Sequence, residues 1–140
     1  MDALPSVVYV AAAMTAPDRV KHNGRGDLVI GEFSNSGSSS PGESQSSPRV
    51  QRVAAIFESA GVKCVQSPRI EVDLWSKLMM NCAGNAVTAL GRATYGEVAA
   101  HEPSRSVIAG VITECVAVAR AAGVQLPEAV EAIARSGHSR

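Results

Sequence analysis

Hydrophobic residues recur with two different spacings along this chain, and each spacing predicts a different kind of element. The run SVVYVAAAM, which begins at Ser6, is typical of a buried strand. The next stretch, VKHNGRGDLVIGEF, predicts two strands joined at Asn23-Gly24 and Gly26, because these residues tolerate the positive φ that a tight turn requires. The first part of the chain therefore contains three predicted strands.

A segment rich in Ser, Gly and Pro follows over residues 34–48. This composition cannot build a hydrophobic core, and its glycines lack the spacing and the preceding strand of a phosphate-binding loop. We interpret it as a flexible loop that leads into a helix with Pro48 in its first turn. That helix, RVQRVAAIFESAG, has one apolar face and ends at Gly61, and VKCVQ over residues 62–66 predicts a short strand.

The rest of the chain has the spacing of helices. The predicted helical segments are one from Ile70 to about Leu90, the short stretch TYGEVAA, one from about Pro103 to Ala122 and a last one near Pro127. The fold class is therefore α/β followed by all-α, with a first domain over residues 1–67 and a second over residues 68–140.

Composition narrows the range of functions. With 46% hydrophobic and 19% charged residues, most of this 140-residue chain should fold. Thirteen basic residues balance thirteen acidic ones without a basic patch, so we expect no nucleic-acid partner. No apolar run reaches the length of about 18 residues that a membrane span needs, and Asp2 stands where a signal peptide would be basic. Cys64, Cys82 and Cys115 lack the spacing of metal ligands, so we expect free thiols, no metal and a cytoplasmic location.

Three polar residues interrupt the most apolar predicted helix at a fixed interval. Lys77, Asn81 and Asn85 are four residues apart, so they form one narrow stripe about 12 Å long, which Thr88 continues. Because the helix is apolar nearly all round, we expect it to be buried nearly all round, with the stripe facing the core or a cleft. Buried amides and ammonium groups need partners, and a ligand rich in oxygen atoms would supply them.

An ordinary solvent-facing stripe is the alternative interpretation. Surface stripes, however, favour good helix formers such as Glu, Lys and Gln, whereas Asn lowers helix stability. The chemistry of Lys77, Asn81 and Asn85 suits polarisation of a carbonyl group, since two carboxamides can position an oxygen and the ammonium can donate a proton to it.

The run DLWSKLMMNCAGNAVTAL resembles the ketopantoate reductases (2-dehydropantoate 2-reductases), which belong to the 6-phosphogluconate-dehydrogenase-like superfamily. The resemblance lies in Trp75, Lys77-Leu78, an Asn four residues later, a second Asn at 85 and the ending Val87-Thr88-Ala89. Upstream, His22-x-Gly-x-Gly and Ile30-Gly31-Glu32 are similar to family elements, and downstream ECVAVARAAGVQLP matches in character. The similarity extends over about residues 5–128.

This resemblance implies a fold and a reaction. It implies that residues 1–67 are the terminal strands of a Rossmann-like nucleotide-binding domain and that residues 68–140 begin a helical catalytic domain. The implied reaction is the NADPH-dependent reduction of ketopantoate to pantoate in pantothenate and coenzyme A biosynthesis. The implied catalytic acid is Lys77, and the implied substrate-binding residues are Asn81 and Asn85. A small 2-keto acid is the expected partner, together with a homodimer.

The same resemblance implies an incomplete form of the enzyme. The glycine-rich GxGxxG fingerprint does not occur in this sequence, and the family's later substrate-binding Ser and Glu have no counterpart before Arg140. We therefore expect the middle portion of a reductase. The alternative is a catalytically inactive helical fragment that acts as an interaction or oligomerisation module.

Overall fold

The computed structural model describes residues 3–33 and 47–136. A hairpin of two long strands, β1 (Ser6–Ala16) and β2 (Arg19–Ile30), begins the described chain. The short strand β3 (Cys64–Gln66) pairs parallel to the end of β2, so the sheet order is β1-β2-β3. Leu28, Val29 and Ile30 lie opposite the three residues of β3.

The predicted turn at residues 23–26 is wrong, because residues 19–30 form one strand. Gly24, Arg25 and Gly26 do adopt positive φ, of 122°, 56° and 149°, but inside the ladder, where the register with β1 shifts. The positive φ values therefore serve β-bulges, which twist a strand without ending it. The chain reverses instead at Pro17-Asp18, which is itself a common turn pair.

The prediction of a buried first strand is also wrong for most of β1. Val7 is 3% exposed, whereas Val8, Val10 and Met14 are between 53% and 65% exposed in the described part of the chain. A continuous apolar run predicts burial on both faces only if neighbouring elements cover both faces.

Helix α1 (Pro48–Ser59) packs on the sheet as its sequence predicts. The Ser47 side chain caps the helix by accepting a hydrogen bond of 3.2 Å from the Val50 N–H, and Gly61 follows the C-terminus with φ 78°. The core between α1 and the sheet consists of Val50 and Ala54 from the helix and Ile30 and Cys64 from the strands. Of the predicted loop, residues 34–46 lie outside the described residues, Ser47 caps α1, and Pro48 is its first residue.

The remaining elements are helical, as predicted. They are α2 (Ile70–Met80), a π-helical turn (Asn81–Asn85), α3 (Ala86–Gly91), α4 (Tyr95–Ala100), α5 (Glu102–Ala121) and α6 (Glu128–Ser136). The first three are continuous, so one helical segment extends from Ile70 to Gly91. Met79, Val116, Ala119 and Leu126 form the core of these helices, and Trp75 packs against it.

The chain divides into two compact units, Met1–Asp73 and Leu74–Arg140. The interpretation of residues 1–67 and 68–140 as a Rossmann-like part and a catalytic part stays a prediction. Within the described ranges, none of the helices combines the length and the apolar character that a membrane crossing requires.

Gly31→Ala is expected to lower the free energy of unfolding by about 1–3 kcal/mol. Its new Cβ would lie 2.7 Å from the Ser67 carbonyl oxygen and 2.9 Å from Ile70 Cβ, and Ile70 is fully buried. Chemical denaturation followed by circular dichroism measures the change.

Gly110→Ala is the matched control for this substitution. A Cβ at Gly110, inside α5, meets no other atom within 4 Å, so this variant should gain about 0.5–1 kcal/mol. Equal stability of Gly31→Ala and the wild type would contradict the close packing at Gly31.

Candidate functional site

A cavity of about 430 Å³ opens beside the helical segment 70–91, within the unit Leu74–Arg140. The lining residues are Ser76, Lys77, Met79, Met80, Asn81, Ala83, Gly84, Asn85, Tyr95, Ile112 and Val130. Of these described residues only Lys77 belongs to the charged amino-acid types, and more than half are apolar or glycine. The cavity thus combines an apolar wall with a few polar groups, which is typical of small-molecule sites.

The three predicted site residues lie together along this cavity. Met79 and Ala83 are each 4% exposed, so the side of the helix that carries them faces the protein interior. Lys77, Asn81 and Asn85 then follow one another along the cavity wall. Their catalytic and substrate-binding roles stay predictions, because geometry alone does not assign them.

The stripe faces a cleft, which was one of the two expected placements, but the expected burial of the helix nearly all round is wrong. Lys77 is half-buried, and both Asn81 and Asn85 are exposed to the cavity and solvent. The helix itself is not buried all round, since Leu78 and Met80 are 46% and 58% exposed. The asparagines therefore do not need a ligand to satisfy their hydrogen-bonding groups.

A π-helical turn carries both asparagines. The Ala86 N–H donates to the Asn81 carbonyl oxygen, five residues back, where an α-helix would bond four residues back. Just beyond the turn, the Thr88 hydroxyl donates to the backbone carbonyls of Gly84 and Asn85 at 3.0 and 3.1 Å. Thr88 thus stabilises the helix backbone and does not line the cavity. Such turns are frequent at functional sites.

Tyr95 completes a polar network that the sequence did not predict. Asn85 Nδ2 donates to Asn81 Oδ1 over 2.9 Å, and the Tyr95 hydroxyl donates to Asn85 Oδ1. Tyr95 comes from α4, ten residues along the chain, so helical spacing could not reveal this contact.

The position of Tyr95 follows from a capping box, which is visible in the sequence as Thr94-x-x-Glu97. The Thr94 hydroxyl accepts from the Glu97 N–H at 3.3 Å, and the Thr94 N–H donates to the Glu97 carboxylate at 2.8 Å. Hydrogen bonds from the Thr94 backbone and side chain hold the pKa of Glu97 below its ordinary value of 4.5. Recognition of this motif would have assigned Thr94 as the N-cap and Tyr95 as the first residue of α4.

The cysteines contribute no further reactive group to the cavity. Burial raises the pKa of the Cys64 and Cys115 thiols, so both are protonated at neutral pH. Cys82 lies beside Cys115 and does not line the cavity. The expectation of free thiols is confirmed for all three.

Comparison with known proteins gives a consistent result. Residues 69–138 match the family described as "Ketopantoate reductase PanE/ApbA C terminal". The 2-dehydropantoate 2-reductase of Halobacterium salinarum is 32% identical over 129 residues, which cover 92% of this chain and 40% of the relative. The 2-dehydropantoate 2-reductase of Mesorhizobium japonicum is 28% identical over 90% of this chain and 36% of its own length.

Solved structures agree in fold. A PanE/ApbA family ketopantoate reductase from Ralstonia eutropha is 40% identical, with a TM-score of 0.67, and the match covers 93% of this chain and 39% of that one. A 2-dehydropantoate 2-reductase from Geobacter metallireducens is 25% identical, with a TM-score of 0.70, over 96% and 42%. The chain spans about two fifths of the length of the curated relatives named here.

The capping box makes a pH-dependent prediction. Since the pKa of Glu97 is lowered in the folded state, its contribution to stability is complete above pH 4.5 and is lost as the pH falls through the lowered value. Glu97→Gln should therefore have a lower Tm than the wild type near neutral pH, and the difference should disappear in acid. Thermal unfolding between pH 7 and pH 2 measures it.

Glu114→Gln, on an exposed position of α5, controls for the loss of one carboxylate. It should leave the Tm near its wild-type value throughout this range. A Tm difference for Glu97→Gln that stayed constant into acid would contradict the assigned hydrogen bonds.

Proposed function

The chain belongs to the ketopantoate reductase family, and from that premise we propose that it carries the substrate site of a 2-dehydropantoate 2-reductase. In this proposal the cavity binds ketopantoate, Lys77 donates a proton to the keto oxygen, and Asn81 and Asn85 bind the substrate. The product is pantoate. The homodimer and the cytoplasmic location expected from the sequence belong to the same proposal.

The observation that best supports the proposal is that Lys77, Asn81 and Asn85 lie in a row along a cavity whose other lining residues are mostly apolar. Ketopantoate has a carboxylate and a keto oxygen at one end, and these groups accept hydrogen bonds. The ammonium of Lys77 and the amide N–H groups of Asn81 and Asn85 can donate to them. The remainder of the substrate includes two methyl groups, which suit apolar residues such as Ile112 and Val130.

The chemistry requires one proton at the substrate oxygen. Reduction of a ketone to an alcohol places negative charge on that oxygen, and a nearby ammonium both stabilises the charge and supplies the proton. Lys77 is the only charged group among the described lining residues, so it is the assigned donor. The apolar wall lowers the local dielectric, which strengthens these interactions.

The described residues do not fit a dinucleotide phosphate site. In such a site a strand leads through a glycine-rich turn into a helix, whose N-terminus binds the pyrophosphate. Here β1 leads through Pro17-Asp18 into an antiparallel strand. Binding of NADPH therefore stays a prediction from the resemblance, and no step is assigned to it in this chain.

Binding of ketopantoate tests the proposal without any cofactor. Isothermal titration calorimetry with the full chain should detect binding, and Lys77→Ala should raise the Kd about 10- to 100-fold, as expected for the loss of a charge-assisted hydrogen bond. Lys63→Ala removes an exposed lysine outside the cavity and should leave the Kd unchanged. Unchanged binding by Lys77→Ala would contradict the role of Lys77.

Turnover provides a second and independent test. If the chain oxidises NADPH in the presence of ketopantoate, Lys77→Ala should reduce kcat about 10²- to 10⁴-fold, which is the usual contribution of a general acid. Lys63→Ala again serves as the control. A folded wild-type chain that neither binds nor reduces ketopantoate would instead favour the non-catalytic interaction module.

A further inference from the structure

Tyr95 is a lining residue of the cavity to which the proposed reaction assigns no role. It is the first residue of α4, and its hydroxyl donates to Asn85 Oδ1 on the π-helical turn. Its side chain therefore links α4 to one of the two proposed substrate-binding residues.

A glycine allows this contact. A Cβ at Gly84 would lie 3.0 Å from Tyr95 Cε1, which is closer than a normal carbon–carbon contact. Gly84 belongs to the π-helical turn, between Asn81 and Asn85. The absence of a side chain there lets the tyrosine ring lie against the helix next to the asparagines.

The helix that carries Tyr95 is secured at both ends. The capping box of Thr94 and Glu97 closes its first turn. At its other end, Arg105 Nη1 donates to the Ala99 carbonyl oxygen over 2.6 Å. The capping box fixes the backbone at the start of α4, and the Arg105 bond joins α4 to α5, so both restrict the position of the Tyr95 hydroxyl.

The hydrogen bonds of the network all run the same way, from Tyr95 to Asn85 and from Asn85 to Asn81. Asn81 Oδ1 and Asn85 Oδ1 each accept one bond from within the network. The two carboxamides together have four N–H bonds, of which the network uses one, so three remain. Because both carboxamide oxygens already accept a hydrogen bond, Asn81 and Asn85 offer a ligand mainly N–H donors. The ammonium of Lys77 is also a donor.

We propose that Tyr95 is a positioning residue of the substrate site. Its hydroxyl holds the Asn85 carboxamide, and through it the Asn81 carboxamide, in the orientation that presents N–H groups beside Lys77. The resulting row of donors selects ligands whose oxygen atoms accept hydrogen bonds, such as the carboxylate and keto groups of a 2-keto acid. The substrate part of this inference rests on the proposed function, whereas the orientation of the carboxamides does not.

Tyr95→Phe tests the inference, since it removes the hydroxyl and keeps the ring against Gly84. In ¹⁵N-labelled full-length chain without ligand, the side-chain NH₂ signals of Asn81 and Asn85 should shift or broaden as the carboxamides gain freedom to flip. The Kd for ketopantoate should rise about fivefold, the factor for one neutral hydrogen bond. Tyr9→Phe is the matched control, because Tyr9 is the only other tyrosine and packs under Arg25 on the sheet.

The outcomes separate this inference from the proposed function. Side-chain signals of Asn81 and Asn85 that stay unchanged in Tyr95→Phe would overturn the positioning role, even if ketopantoate binds. Changed signals with a raised Kd would support both. Changed signals in a chain whose wild type does not bind ketopantoate would support the orientation of the carboxamides and overturn the proposed substrate.

Discussion

The burial of Met79 and Ala83 on one side of the helical segment 70–91 is the constraint on which the rest of the site depends. Met79 packs with Val116, Ala119 and Leu126 in the core of the helical unit, so the helix cannot rotate about its axis without exposing apolar surface. In this fixed orientation, Lys77 and the two asparagines line the cavity. Hydrophobic packing therefore sets the direction of the polar groups, although none of them belongs to the core.

Hydrogen bonds and a local change of helix geometry then set the detailed positions of the polar side chains that packing directs to the cavity. The π-helical turn places one additional residue in the helix at Asn81–Asn85, and Thr88 stabilises the carbonyl groups beside it. Gly84 leaves room for Tyr95, whose hydroxyl reaches Asn85. Such local departures from ideal geometry are typical of functional sites, where a binding requirement outweighs helix regularity.

Local signals in the sequence predicted most of the helices correctly. Pro48 and Gly61 bound the first helix, and Gly123 follows the longest one, because proline and glycine act on the backbone within a few residues. Features that depend on distant neighbours were missed. Positive φ near Gly24 served a bulge and not a turn, and the apolar residues of β1 are exposed because sequence does not show which faces are covered. The stripe was predicted from its spacing, but the contact with Tyr95 depends on the packing of a second helix.

In the proposed function, the cavity beside Lys77, Asn81 and Asn85 binds a 2-keto acid. The most direct test is a titration of the ¹⁵N-labelled full-length chain with ketopantoate, followed by the backbone ¹⁵N–¹H signals. If the cavity binds ketopantoate, the signals of residues 76–85 and of Tyr95 should show saturable shifts, with little change in β1 and β2. The absence of shifts in the helical residues at millimolar ketopantoate, or shifts confined to the strands, would contradict it.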